Sequence, residues 1–201
     1  IRDSVYSDKD GNIAFIHNSM TPVRIPGYNW HNYLPGDKSS LIWDSYISFE
    51  KLPMVINPSS GYLISANQSP FFVTSDKDNP DRKNYSDEDG FPTRMTNRAV
   101  RGLELLSELD KIDEQTFSAI KHDKKYSKNS RAYKYLEKAM LADLGDLNTQ
   151  KHEIYANAQT ILKKWDLSTD KNNRGAALGT CIIGAEWLAE QQGENPPDPS
   201  G

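Results

Sequence analysis

The chain has 201 residues, 36% of them hydrophobic and 26% charged, with a net charge of -4 from 24 basic and 28 acidic side chains. That length suits one large domain or two small ones, and the acidic balance argues against a nucleic-acid partner, which needs a basic face. No apolar run approaches the roughly 18 residues of a membrane span, and the single cysteine, Cys181, excludes an intrachain disulfide.

Two β-prone runs, Val5-Tyr6-Ser7 and Ile13-Ala14-Phe15-Ile16-His17, flank Asp8-Lys9-Asp10-Gly11-Asn12. The Asp-Gly-Asn centre tolerates positive φ, so the pair reads as a hairpin. It lacks the spacing and terminal Glu of an EF-hand calcium loop. A loop rich in proline, glycine and aromatic residues follows from Thr21 to Ser40; a loop of that length is functional or packs against a partner surface. Ile42-Trp43, Tyr46-Ile47 and Phe49-Glu50-Lys51-Leu52-Pro53 come next. Tyr62-Leu63-Ile64 predicts a short buried strand that delivers Asn67 and Gln68 at its end. An amide there needs hydrogen-bond partners or loses roughly 1–3 kcal/mol.

Residues 71–92 are polar and turn-prone and read as an exposed loop. Helical spacing begins at Thr93, with Met95, Ala99, Leu103 and Leu106 on one stripe. Asp113 caps a second helix carrying Phe117 and Ile120. A third helix covers about 128–143, a fourth about 150–164 with Ile154, Ala158, Ile161 and Leu162, and a fifth about 173–190. Residues 191–201 predict an extended tail. The fold class is therefore α+β: a strand-rich part at 1–70, a polar loop at 71–92 and a helical part at 93–190. The strand-rich part is too small for a complete sheet of its own. Ile1-Arg2-Asp3-Ser4 carries neither an initiator Met nor a signal peptide, so the chain reads as a piece of something longer.

General catalytic constellations are scarce. There is no glycine-rich phosphate loop, no paired-cysteine metal site and no Gly-x-Ser-x-Gly elbow. His17, His31, His122 and His152 lack ligand spacing and read as surface or structural. Cys181, within Gly179-Thr180-Cys181-Ile182-Ile183, reads as a small buried hydrophobe.

Taken in order, several segments form one pattern: Tyr6-Ser-Asp-Lys-Asp-Gly-Asn-Ile-Ala-Phe15, Pro22-Val-Arg-Ile-Pro-Gly27, Leu34-Pro-Gly36, Trp43-Asp-Ser-Tyr-Ile-Ser-Phe-Glu-Lys-Leu-Pro53 and Asn57-Pro-Ser-Ser-Gly-Tyr-Leu-Ile-Ser-Ala-Asn67. Arg94 before a leucine-rich helix, and Trp165-Asp166 before Arg174-Gly-Ala-Ala-Leu178, continue it. The pattern resembles the penicillin amidase (penicillin acylase) family, which includes acyl-homoserine lactone acylases. The resemblance runs to about residue 185, and its specific part lies in the first 70 residues.

The resemblance implies an N-terminal nucleophile hydrolase with an αββα sandwich. In that family a serine freed by self-cleavage begins the β-subunit, and its own α-amine is the base. Asn67 matches the asparagine that donates its side-chain amide to the oxyanion. Arg94 matches an arginine that orients the nucleophile and that asparagine. Calcium is the one cofactor suggested. Its ligands map to the Trp30 carbonyl, where the family ordinarily has proline, and to an acid near Asp76 or Asp78. The chain begins with Ile1 rather than the nucleophile, so the resemblance implies an internal part of the β-subunit, inactive alone. Its partners would be the rest of that subunit, the α-subunit and a small acyl amide of penicillin or N-acyl-homoserine-lactone type. Its compartment would be periplasmic or secreted. The alternative is a non-enzymatic interaction module derived from the same fold.

Overall fold

The structure, a computed structural model, describes residues 3–30, 32–145 and 147–191. His31 and residues 192–201 of the expected tail lie outside the described residues, and helix reaches Gln191. The chain divides into two compact units, Ile1–Arg94 and Met95–Gly201. The division falls where the sequence changes to helical spacing.

In the first unit the predicted hairpin forms. Strands β1 (Ser4–Ser7) and β2 (Ile13–Ile16) pair antiparallel with Val5 opposite Phe15. Asp8 organises the turn: its Oδ1 accepts from the backbone N–H groups of Asp10 at 3.0 Å and Asn12 at 2.9 Å. Gly11 turns the chain at φ +86°. A third strand, β3 (Met54–Ile56), pairs antiparallel with β2, placing Val55 opposite Phe15. The sequence hides β3, because it is three residues long between Pro53 and Asn57-Pro58. Asn57 locks its end, accepting from the Ile13 N–H at 2.9 Å and donating to Asn12 Oδ1 at 2.9 Å.

The strand expected at Tyr62–Ile64 is extended chain outside the sheet. It is half-buried and is held by the Ile64 N–H donating to the Val73 carbonyl at 2.8 Å. Residues 71–92, expected as an exposed loop, supply much of the core. Val73 packs with Phe15 and Val55, and Phe71 and Phe91 pack with Leu52. The polar run between Val73 and Phe91 hides the apolar residues at its two ends. The aromatic loop stays largely open, with Tyr33 fully exposed, and after it Ile42, Trp43, Tyr46 and Phe49 are all more than half exposed.

The second unit is helical: α1 (Asn97–Ser107), α2 (Glu114–Lys121), α3 (Arg131–Leu141), α4 (Thr149–Lys164) and α5 (Arg174–Gln191). No described helix is long and apolar enough to cross a membrane. Three have side-chain caps from Thr96, Asp113 and Asn148, so the starts of α1, α2 and α4 are satisfied locally. Helices α3, α4 and α5 close on a core of Leu136, Leu162, Trp165, Leu167 and Ala176. Trp165 lies across Gly175 and Gly179 of α5. A Cβ at Gly175 would sit 2.5 Å from the indole, and one at Gly179 closer still. Ile154 and Ile161 of the expected α4 stripe face outward, and Leu162 is the buried one. Cys181 is exposed, not buried. Two residues turn a helix by about 200°, which carries it away from the Gly179 face.

Arg101 of α1 grips Asp123 after α2 through two hydrogen bonds, Nε to Oδ1 at 3.1 Å and Nη2 to Oδ2 at 3.2 Å. Burial pushes the Asp123 carboxyl up. Hydrogen bonds from Arg101 and the Lys125 N–H, with the charges of both, outweigh it and hold the group below the usual carboxylate range.

The Gly179→Ala substitution is expected to displace Trp165 and destabilise the helical unit by about 1–3 kcal/mol, as overpacking does. A denaturant melt followed by tryptophan fluorescence measures it, and an unchanged midpoint contradicts this packing. A second expectation concerns pH. A carboxylate depressed on folding contributes stability above its unfolded pKa of about 3.9, and that contribution is lost as pH falls through the folded value. Asp123→Asn should therefore cost about 1–3 kcal/mol at neutral pH and much less in acid. Thermal melts across pH 7 to 2 read the convergence.

Candidate functional site

The segment 62–79 folds on polar groups satisfied internally. Asn79 Oδ1 accepts from the N–H groups of Val73 at 2.8 Å and Thr74 at 3.1 Å, and its Nδ2 donates to the Thr74 and Ser75 carbonyls. Thr74 donates its hydroxyl to the Tyr62 carbonyl at 2.9 Å and lies 2.5 Å from the Ser60 hydroxyl. Asp78 Oδ2 accepts from Ser59 Oγ at 2.8 Å, the Ser60 N–H at 3.3 Å and Ser75 Oγ at 3.2 Å. These bonds, the Ser59 one first, hold its carboxyl below the usual range.

Asn67 lies at the head of this fold. It is exposed and has a left-handed backbone, φ +59°, a conformation asparagine tolerates better than most residues. The two residues after it, Gln68 and Ser69, are buried. Sequence reasoning asked where the strand-end amides find partners and placed the question on Asn67. The buried amide is in fact Gln68. Its Oε1 accepts from the Ala66 N–H at 2.6 Å, and its Nε2 donates to the carbonyls of Ile64 at 2.8 Å and Phe72 at 3.2 Å.

The Ser69 N–H donates to the Arg94 carbonyl at 3.0 Å. One main-chain bond therefore joins the Asn67 turn to the other predicted site residue, 27 positions later in sequence numbering. Arg94 is exposed and lines a cleft of about 650 Å³ with Tyr28, Trp30, Arg82, Glu88 and Phe91 among its walls. Asn67 does not line it. Arg82 donates to the Tyr85 carbonyl and pairs with Asp87, so its charge is engaged. Tyr85 is pushed above its ordinary pKa by burial and by Asp89.

Aromatic stacking shapes the cleft wall, a feature the sequence did not reveal. The Arg24 guanidinium lies 5.6 Å from the Trp30 ring centroid and 5.7 Å from that of Trp43. Its Nη1 donates to the Glu88 carbonyl at 3.1 Å, while Nε is buried without a partner among the described residues. Gly90, at φ +69°, lets this happen: a Cβ there would lie 3.0 Å from Arg24 Cζ and closer to Nη1.

Of the residues matched to calcium ligands, Trp30 would offer its main-chain carbonyl and Asp76 or Asp78 a carboxylate. Trp30 belongs to the Arg24 stack and the cleft, whereas Asp76 and Asp78 do not line it. Asp78 Oδ2 accepts from Ser59, Ser60 and Ser75. Among the described residues no group of three or more His, Cys, Asp or Glu is placed to hold a metal ion. His17, the buried histidine, contacts Asp3 Oδ1 through Nδ1 at 2.8 Å and the Phe91 ring edge-on, which is a structural position.

Comparison with known proteins agrees with the sequence pattern. The profile of the penicillin amidase family matches residues 3–190. Penicillin G acylase of Escherichia coli is 37% identical over 65 residues, which are 32% of this chain and 8% of that protein. The chain thus aligns with a small part of that relative's length.

Gly90→Ala should evict Arg24 from the two indoles and cost about 1–3 kcal/mol from steric clash and positive-φ strain. Gly27, at φ +87° with nothing within 4 Å, supplies the control for strain alone. If Gly90→Ala and Gly27→Ala melt alike and leave tryptophan emission unchanged, the Arg24 stack does not depend on Gly90.

Proposed function

Because the chain belongs to the penicillin amidase family, a family of amide hydrolases, we propose that it forms the oxyanion-stabilising part of an acylase. Asn67 donates its side-chain N–H to the carbonyl oxygen of a linear amide as that oxygen gains charge. Arg94 orients Asn67 and the nucleophile. The nucleophile is an N-terminal serine outside this chain, so the chain acts with the rest of a β-subunit and an α-subunit. The substrate is a penicillin-type or N-acyl-homoserine-lactone-type amide, and the enzyme works in the periplasm or outside the cell.

The observation that carries this reading is the placement of Asn67. It is exposed on a left-handed turn whose next two residues are buried, and the turn is hydrogen-bonded to Arg94. A donor held this way needs no reorganisation when the oxyanion forms, which is what electrostatic catalysis requires. Its interaction strengthens with charge on the oxygen, so its loss falls on kcat rather than KM.

Asn67→Ala in the full-length protein should lower kcat by roughly 10²–10³-fold while self-cleavage and melting temperature hold. Steady-state kinetics on a chromogenic acyl amide checks it. Near-normal kcat with a lowered melting temperature would make Asn67 a turn residue and end the proposal.

A further inference from the structure

An exposed asparagine on a turn gains catalytic value only if something fixes the turn. The residue on either side of Asn67 is tied to the same group. The N–H of Ala66, before it, donates to Gln68 Oε1 at 2.6 Å. Gln68, after it, spans the fold with Nε2, reaching the Ile64 carbonyl at 2.8 Å and the Phe72 carbonyl at 3.2 Å. Gln68 is 4% exposed, so little of it meets water. The Asn67 backbone is thus clamped from below by a residue that does not itself reach the surface.

The clamp has a specific chemical requirement. It needs one acceptor and two donors on a flat group at the end of a two-methylene stem, and only glutamine supplies that set. A glutamate at this position keeps an acceptor for the Ala66 N–H but turns a carboxylate toward two carbonyls. A methionine keeps the length and loses all three bonds.

We propose that Gln68 is a positioning residue for Asn67, its buried amide fixing the left-handed turn that aims the Asn67 amide at the oxyanion. The inference rests on the oxyanion role of Asn67 proposed above. Misplacing a catalytic group by about 1 Å can cost about 10²-fold in rate, so a loosened turn is expressed in kcat and not only in stability.

The test is a double-mutant cycle in the full-length protein with Asn67→Ala, Gln68→Met and both together. Gln68→Met is expected to lower kcat by about 10- to 10²-fold with KM within about twofold of wild type. In the Asn67→Ala background it should lower kcat no further, because the group it aims is already gone. Gln68→Asn, which keeps the amide on a stem one methylene shorter, should lie between Met and wild type; it decides the matter if the Met variant does not fold. The proposal is overturned if Gln68 variants lose melting temperature yet keep kcat, or if the two losses multiply in the double mutant. If Asn67→Ala itself leaves kcat unchanged, the oxyanion reading fails first and the positioning role falls with it.

Discussion

A primary amide buried in a protein must be hydrogen-bonded at both ends or it costs roughly 1–3 kcal/mol, and Gln68 meets that demand in a way that organises everything around it. Its oxygen takes the Ala66 N–H and its nitrogen serves the carbonyls of Ile64 and Phe72. Those bonds join the chain entering the turn to the chain leaving it. With them in place Ser69 is fully buried and its N–H reaches Arg94. Asn67 is then left on the outside, in the left-handed conformation that the closure imposes. Exposure of one amide follows from burial of its neighbour.

The same logic of satisfied polar groups extends through the first unit. Its three strands are only three or four residues long, too short for the ladder alone to hold irregular chain. Asp8, Asn57, Asn79 and Asp78 each close a turn with two or more hydrogen bonds. Apolar anchors then fill the spaces: Phe15, Val55 and Val73 in one cluster and Leu52, Phe71 and Phe91 in another. The result is a surface of loops held in defined positions, which suits a site built from loops. The helical unit uses a different device, an indole laid on two glycines, where close approach replaces side-chain interdigitation.

The open aromatic loop contrasts with both. Trp30 and Trp43 are organised by Arg24, while Tyr33, Ile42 and Tyr46 remain exposed.

The sequence by itself determined the parts governed by local rules. The Asp-Gly-Asn turn specified the first hairpin, because those residues accept positive φ. Apolar spacing, with Asp113 as a cap, located the helices, since periodicity and capping act within a few residues. The ordered motifs gave the family and named Asn67 and Arg94. Tertiary structure decided what depends on distant partners. The strand at Met54–Ile56 exists because Phe15 and Asn57 receive it, whereas Tyr62–Ile64 finds no ladder. Phe71, Val73 and Phe91 are core because other chain covers them, although a long polar run separates Val73 from Phe91. Gly90 matters because Arg24 passes it, and Cys181 is exposed because Gly179, not Cys181, faces Trp165. Which amide of the Asn67-Gln68 pair would be buried was likewise not written locally. Either could have turned inward, and the carbonyls of Ile64 and Phe72 meet Gln68.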